Sequence, residues 1–353
     1  MPRRPMLHEQ AALRGGMLAL AAALLFGLST PLLQRLGAGL GTFMTAALLY
    51  AGAACFAGMT RRAPQAEARV RRTDWPRLAA MAAFGAVLGP VALAWGLQHT
   101  SGASASLMLT LEAVFTALFA WRLYGETLDR RVVLAMLLLV SGGAALVTQQ
   151  GLSGSVQLLG LLAVLVATAA WGVDNSLSRA LADRDPGQVI LVKAALGTLV
   201  TLVLAAAAGE PLPGAAPALG LLAVGATGYG LSLRFYLLAQ RSFGAARTGS
   251  VFAFAPFIGA AGALALGEHA AGGWLLAGGA LMLAGVVLHL TETHRHEHRH
   301  EPLAHEHAHR HDDGHHLHRH DPMPAGPHSH PHRHAPMVHA HAHVPDAHHL
   351  HRH

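Results

Sequence analysis

Residues 102–126 read GASASLMLTLEAVFTALFAWRLYGE, and residues 244–268 read GAARTGSVFAFAPFIGAAGALALGE. Both open on glycine, run through small and apolar side chains, and close on Gly-Glu at the same spacing. As a helix, each is long enough to cross a hydrocarbon core of roughly 30 Å. A carboxylate, Glu112, stands near the middle of the first. Outward from these two segments the pattern recurs. About ten apolar spans of bilayer length lie near 13–34, 40–60, 76–98, 102–122, 131–149, 156–178, 187–208, 216–238, 246–266 and 272–290.

Composition agrees. The 353 residues are 52% hydrophobic and 12% charged, against about 25% charged in an ordinary soluble domain. Glycine and alanine fill the spans; in lipid such residues let helix backbones approach closely, as at Gly85-x-x-x-Gly89. Pro31, Pro90 and Pro256 lie in or near spans, where neighbouring helices satisfy the backbone groups that proline frees. A single cysteine, Cys55, excludes an intrachain disulfide framework and a cysteine zinc site. The start, MPRRPMLHEQAALRGG before an apolar run, mimics a signal peptide, but the run is long enough to span and is read as a retained first helix.

The net charge of +6 does not point to nucleic acid, because the arginines sit in short connections between spans. Arg61, Arg62, Arg69, Arg71 and Arg72 fill the second connection, Arg130 and Arg131 the fourth, Arg184 the sixth, and Arg241 and Arg247 the eighth. The odd connections, GAGLGT, HTSG, QQGLSGSVQ, EPLPGAAP and GEHAAGG, have no lysine or arginine. The positive-inside bias predicts a multi-pass inner-membrane protein with both termini cytoplasmic.

The opening pair of segments belongs to a wider internal repeat, in which LLFGLSTPLLQRL (24–36) echoes AAWGVDNSLSRAL (169–181). Each half has five spans, an odd number, so the halves are expected to lie inverted in the membrane. The predicted fold is therefore all-α membrane: ten transmembrane helices in two inverted five-helix repeats, residues 1–149 and 150–291, with a disordered tail over 292–353.

The segments LEAVFTALFAWRLYGE and ARTGSVFAFAPFIGA, with the repeated Gly-Glu, resemble the EamA-type branch of the drug/metabolite transporter superfamily. The resemblance covers roughly residues 13 to 290. It implies a ten-helix secondary transporter of small organic solutes and leaves the substrate open. Ala113 stands where the family usually has a proline after the glutamate, which weakens the expectation of a helix break there.

The tail holds all but four of the 27 histidines. It also duplicates itself: HRHEPLAHEHAHRHDDGHHLHRH (298–320) aligns with HRHAPMVHAHAHVPDAHHLHRH (332–353), so it is not an expression tag. Such a segment buries no core and is expected to be disordered without ligand. Imidazole is a common ligand for zinc, nickel, cobalt and copper. The candidate ligands are His294, His296, His298, His300, His305, His307, His309, His311, His315, His316, His318 and His320, then His332, His334, His339, His341, His343, His348, His349, His351 and His353. Glu297, Glu301, Glu306, Asp312 and Asp313 offer oxygens. A plain solvated linker and a pH-sensing tail are the competing readings.

Ionisable residues inside spans are expensive and usually functional. Glu112 lies mid-span, and Asp174, Asn175, Lys193 and Arg234 fall at similar depth by span counting. They read as a gate or solute site, or else as a structural ion-pair network with snorkelling by Lys193 and Arg234. Trp95, Gln98, Trp171 and Tyr229 are weaker candidates for a cavity lining, since aromatic residues near span ends often anchor at the interface. No GxxxxGK[ST], GxSxG or HExxH motif is present, so an enzyme is not expected.

The leading expectation is a proton-coupled secondary transporter of a small metabolite, with Glu112 or Asp174 as the coupling group and no required cofactor. The alternatives are an exporter of transition-metal ions or their chelates, and a membrane-anchored metal buffer or sensor. The expected partners are the lipid bilayer, a small solute and divalent ions, with a homodimer left open and nucleic acid excluded.

Overall fold

The computed structural model describes residues 5–60, 68–124, 128, 130–181, 184–243, 245–268 and 272–290, and the backbone of 294–300, 304–309, 328–333 and 337–343. Arg61, Arg62, the Gly125-Glu126 pair and the remainder of the tail lie outside the described residues, as do the side chains of residues 240–247, Arg241 and Arg247 among them.

The helical elements run in chain order: α1 (Pro5–Leu36) and α2 (Thr42–Thr60), α3 (Arg72–His99) and α4 (Gly102–Leu123), α5 (Arg130–Ser153), α6 (Ser155–Ser178) and α7 (Pro186–Ala207), and α8 (Ala215–Ala239). Then comes α9, in two pieces, α9a (Ala245–Phe252) and α9b (Ala255–Ala265), and finally α10 (Gly273–Leu290). Among the described residues eight helices, α1 through α8, are long and apolar enough to cross a membrane; Ala255–Ala265 and Gly273–His289 are shorter apolar helices. Ten spans were expected. The difference at α9 has a local cause: Pro256 stands in the first turn of α9b, just past a turn at Ala253–Phe254. Proline brings no backbone donor and its ring blocks helical continuation. At the corresponding place in α4 stands Val114, and there the helix only tightens into a 3₁₀ turn at Leu109–Leu111 and continues.

The bundle's interior is built from Leu33, Leu49, Leu93, Leu97, Met108, Leu146, Leu161, Val164, Leu221 and Met282. Its outer face is apolar as well, with Leu137, Leu199, Val203 and Leu276 all exposed. Water would not tolerate so continuous an apolar surface, and a bilayer requires it. This is a membrane protein with multiple spans.

Helix neighbours are these: α1 packs on α8 and α9, α6 on α3 and α4, α5 on α10, α2 on α7, and α4 on α9. Two helices widen into a π-helical turn, α3 over Ala82–Leu88 and α8 over Gly225–Leu231. In α3 the widening meets Pro90. Gly89 N–H reaches back five residues to the carbonyl of Phe84. Five residues on from Gly85 stands Pro90, which has no N–H to give, so the Gly85 carbonyl is left for side chains.

Within the tail, which was expected to be disordered, the backbone is described over four short segments and most of the rest lies outside the described residues. Its backbone is drawn as four short strands, β1 (His294–His300), β2 (Ala304–His309), β3 (His328–Arg333) and β4 (Met337–His343). β1 pairs antiparallel with β4, and β2 with β3. The register sets His294, His296 and His298 opposite His343, His341 and His339. It likewise sets His305, His307 and His309 opposite His332, His330 and His328. An alternating His-x-His sequence favours this pattern, because side chains of a strand repeat every second residue.

Candidate functional site

The site forms where the first five helices meet the second five. From α4, Glu112 Oε1 accepts a hydrogen bond from Asn175 Nδ2 of α6 at 2.5 Å. One residue earlier on α6, Asp174 Oδ2 is ion-paired with Lys193 Nζ of α7. The Asp174 side chain is 7% exposed and that of Lys193 17%. Asp174 Oδ1 is buried and has no hydrogen-bond partner among the described residues. Glu112 is half-buried and Asn175 exposed, so the cluster is open on the Asn175 side.

The approach of α6 to α3 depends on glycine. A methyl group on Gly85 would strike the Asp174 carboxylate, and one on Gly89 would lie 2.7 Å from Trp171 Nε1. The Gly85 carbonyl freed by Pro90 accepts from Trp171 Nε1 at 3.0 Å and also from the Tyr50 hydroxyl. Thus the π-helical turn of α3, the indole of α6 and the phenol of α2 are joined beside the carboxylates. Tyr229 of α8 completes this wall. Its ring lies 5.8 Å from those of Tyr50 and Phe26, and its hydroxyl shares a hydrogen bond with Ser29 of α1. Seven helices, α1 to α4 and α6 to α8, therefore converge on a polar centre with an aromatic side.

Of the residues singled out by depth, Glu112, Asp174, Asn175 and Lys193 come together, with Trp171 and Tyr229 beside them. The other three lie apart. Arg234 Nη1 donates to the Thr60 carbonyl at the end of α2, 3.1 Å away. Gln98 Nε2 donates to the carbonyls of Gly37 and Leu40, which ties the end of α3 to the α1–α2 turn. Trp95 is exposed and stacks on His99. Sequence reasoning passed over Tyr50 and Ser29. The signal was available: Tyr50 is one of four tyrosines and sits inside an otherwise small and apolar span.

The ends of the bundle are tied differently. At the end carrying the α3–α4 and α9–α10 connections, Glu268 accepts from the backbone N–H groups of Gly102 and Ala103 at 2.7 and 2.9 Å. Gln34 Nε2 donates to the carbonyls of Thr100 and Leu97, and Arg35 donates to that of Leu266. Also at this end, Glu210 accepts from Phe43 and Met44 N–H, joining the α7–α8 connection to α2. At the opposite end Arg184 Nε meets Asp74 Oδ2 at 2.8 Å.

The cluster holds two carboxylates and one ammonium. With all three ionised one negative charge is left over, and inside a span that charge is costly unless a proton or a cation balances it. No group of three or more metal-ligating side chains occurs among the described residues.

Residues 13–148 match the model of the EamA-like transporter family. A protein from Methanothermobacter thermautotrophicus, described as an uncharacterized transporter, is 30% identical over 210 residues. That match covers 56% of this chain and spans 60% of the length of the relative. A solved structure described as "Crystal structure of protein" superimposes with a TM-score of 0.54 at 21% identity, covering 80% of this chain and 96% of the other. At that identity the likeness is one of fold.

Proposed function

We propose that the chain is an EamA-type secondary transporter that moves a small metabolite across the inner membrane by alternating access, exchanging a proton at Glu112. The observation that carries this reading is the seam cluster, Glu112–Asn175 beside Asp174–Lys193. Charged groups placed between two halves of a bundle, where one charge lacks a partner, suit a site that binds and releases a solute together with a proton. Asp174, Lys193 and Asn175 would contact a zwitterionic or anionic solute, and Trp171, Tyr50 and Tyr229 its apolar side.

Several features support an inverted ten-helix arrangement. Exchanging α1–α5 for α6–α10 maps the α1–α8 pair onto α6–α3 and the α1–α9 pair onto α6–α4. The same exchange leaves the α2–α7, α4–α9 and α5–α10 pairs in place. The π-helical turns of α3 and α8 also exchange. The family match over 13–148 coincides with the first unit.

Purified protein in proteoliposomes, screened for counterflow with amino acids and other small metabolites, tests transport directly. Glu112→Gln keeps the shape and the hydrogen bond to Asn175 while removing the titrating group. Flux through this variant is expected to become independent of pH; a pH profile equal to that of the wild type rejects Glu112 as the coupling group. Topology is tested separately. Reporters fused after residues 65 and 300 are expected to read cytoplasmic, and a periplasmic signal at either position overturns the inverted arrangement.

A second reading concerns the tail. We propose that it binds Zn²⁺, Ni²⁺, Co²⁺ or Cu²⁺, either to feed an exporter or to buffer the ion at the membrane. The cross-strand histidine register favours it, because opposite residues of an antiparallel pair stand about 5 Å apart, close enough for two imidazoles to share one ion.

A further inference from the structure

We infer that the cleft between α1 and α9 at the Glu268 end of the bundle is a second solute site, which takes a small zwitterion with its carboxylate on Arg35 and its ammonium on Glu268; this rests on the transport reading above. Pro31, Gln34 and Arg35 line the cleft from α1, and Leu266 and Glu268 from the end of α9, around about 200 Å³. Drug-sized pockets are larger, so this volume suits a metabolite of few heavy atoms.

Arg35 is out of place by the rules of topology. Its end of the bundle carries the α1–α2, α3–α4, α5–α6, α7–α8 and α9–α10 connections, and no other lysine or arginine occurs there among the described residues. Membrane insertion keeps such cations to the other side, so one retained here calls for a use. Arg35 is exposed, and its guanidinium donates to the Leu266 carbonyl. That bond ties the side chain to the end of α9, and the other N–H groups of the fork have the planar geometry that grips a carboxylate at two points. Glu268 is carried to the same cleft by Gly267, whose φ of +92° glycine adopts without strain. Its carboxylate accepts from Gly102 and Ala103 N–H and keeps further lone pairs for an ammonium. One cation and one anion in one cleft match a solute that bears both charges. A bare anion or a bare cation meets a like charge there and is disfavoured.

The cleft is walled off from the seam cluster. Between them α1, α4 and α9 approach too closely to admit a side chain. A methyl group on Gly27 would lie 2.4 Å from the Ala255 carbonyl, and one on Gly259 would lie 2.8 Å from both the Gly27 carbonyl and Ser106 Oγ. The cluster is open on the Asn175 side instead. A zwitterion held by Arg35 and Glu268 therefore waits behind this layer and reaches the cluster when α1 and α9 part, as alternating access requires.

The test treats the full chain in lipid nanodiscs with phenylglyoxal, which modifies arginine. Mass spectrometry reads the rate at Arg35 against that at Arg14, an exposed arginine at the opposite end. Alanine is the probe, because the cleft reads the two charges and not a side chain. At saturation it is expected to slow modification of Arg35 by about threefold or more, by mass action, and to leave Arg14 unchanged. Propionate and ethylamine, with one charge each, are expected to slow it far less. Glu268→Gln keeps an acceptor for Gly102 and Ala103 without the charge, and is expected to reduce the effect of alanine to that of propionate. The proposal is overturned by no protection from alanine, by equal protection from propionate or at Arg14, or by protection indifferent to Glu268→Gln. Slowing by phosphatidylglycerol in the disc, with none by alanine, also overturns it, since Arg35 then holds a lipid headgroup. Counterflow measured on the same samples keeps the two readings apart. Flux with Arg35 unprotected removes the cleft site and leaves the transporter. Protection of Arg35 in a protein that moves no solute keeps the cleft site and removes the transporter.

Discussion

Lys193→Met is expected to destabilise the helix bundle by about 3–5 kcal/mol, the scale for stripping one partner from a buried ion pair. Asp174 is the reason. Its carboxylate is buried, Oδ1 lacks a hydrogen bond among the described residues, and Oδ2 relies on Lys193. Removing the ammonium leaves a nearly unsolvated anion against Gly85 and α3. Asp174→Asn on top of Lys193→Met removes that charge and is expected to recover most of the loss, giving a coupling of about 1–3 kcal/mol in a double-mutant cycle. Thermal unfolding in detergent provides the stability numbers, and counterflow decides what the pair is for. If the double variant regains stability but not flux, the pair serves the solute. If it regains both, the pair is structural and the site reduces to Glu112 and Asn175. If Lys193→Met is as stable as the wild type, the ion pair itself is in doubt.

Apolar length was the strongest signal in the sequence, because a bilayer fixes how long an apolar helix must be. It located α1 through α8, but it read 246–266 as one span with Pro256 tolerated inside it, where the helix in fact breaks. Depth was partly legible. Span counting set Asp174, Asn175 and Lys193 at one level and Glu112 nearer mid-span, yet Glu112 meets Asn175, and Asp174 meets Lys193. Depth is one coordinate only, however. Arg234 sits at a similar level but points to the end of α2, and nothing in its spacing states which side of α8 faces the seam. Gln98 and Trp95 show the same limit at the far end of α3. Tyr50 was missed because a tyrosine among alanines and leucines scarcely alters hydropathy. Its role appears only once Pro90, on another helix, is seen to free the Gly85 carbonyl that its hydroxyl takes. That is a tertiary consequence of a local rule, and single spans do not carry it.

The tail supplies the other large expected effect. Full-length protein in detergent is expected to bind several Zn²⁺ or Ni²⁺ ions at neutral pH, and protein ending at residue 291 to bind essentially none, since no metal-ligating group of side chains occurs among the described residues of the bundle. Binding is expected to collapse below about pH 5.5, because imidazole titrates near 6.5 and its protonated form has no lone pair to give. Affinity per ion is expected to be modest, since closing a segment with few apolar residues around each ion costs conformational entropy that no buried core offsets. The strand register makes a sharper demand. If β1 and β4 share ions across the ladder, alanine at His294, His296 and His298 removes the same ions as alanine at His339, His341 and His343. The combined variant then loses no more than either set alone. If each strand binds its own ions, the losses add. Isothermal titration of the four proteins separates these outcomes, and additive losses reject the ladder while leaving metal binding in place. Equal binding by the full-length and truncated proteins rejects the tail as a metal site altogether. Where binding holds, removing 294–353 in cells distinguishes its use. A fall in metal tolerance with faster accumulation inside the cell marks a collector feeding export; unchanged efflux with a smaller membrane-bound pool marks a buffer.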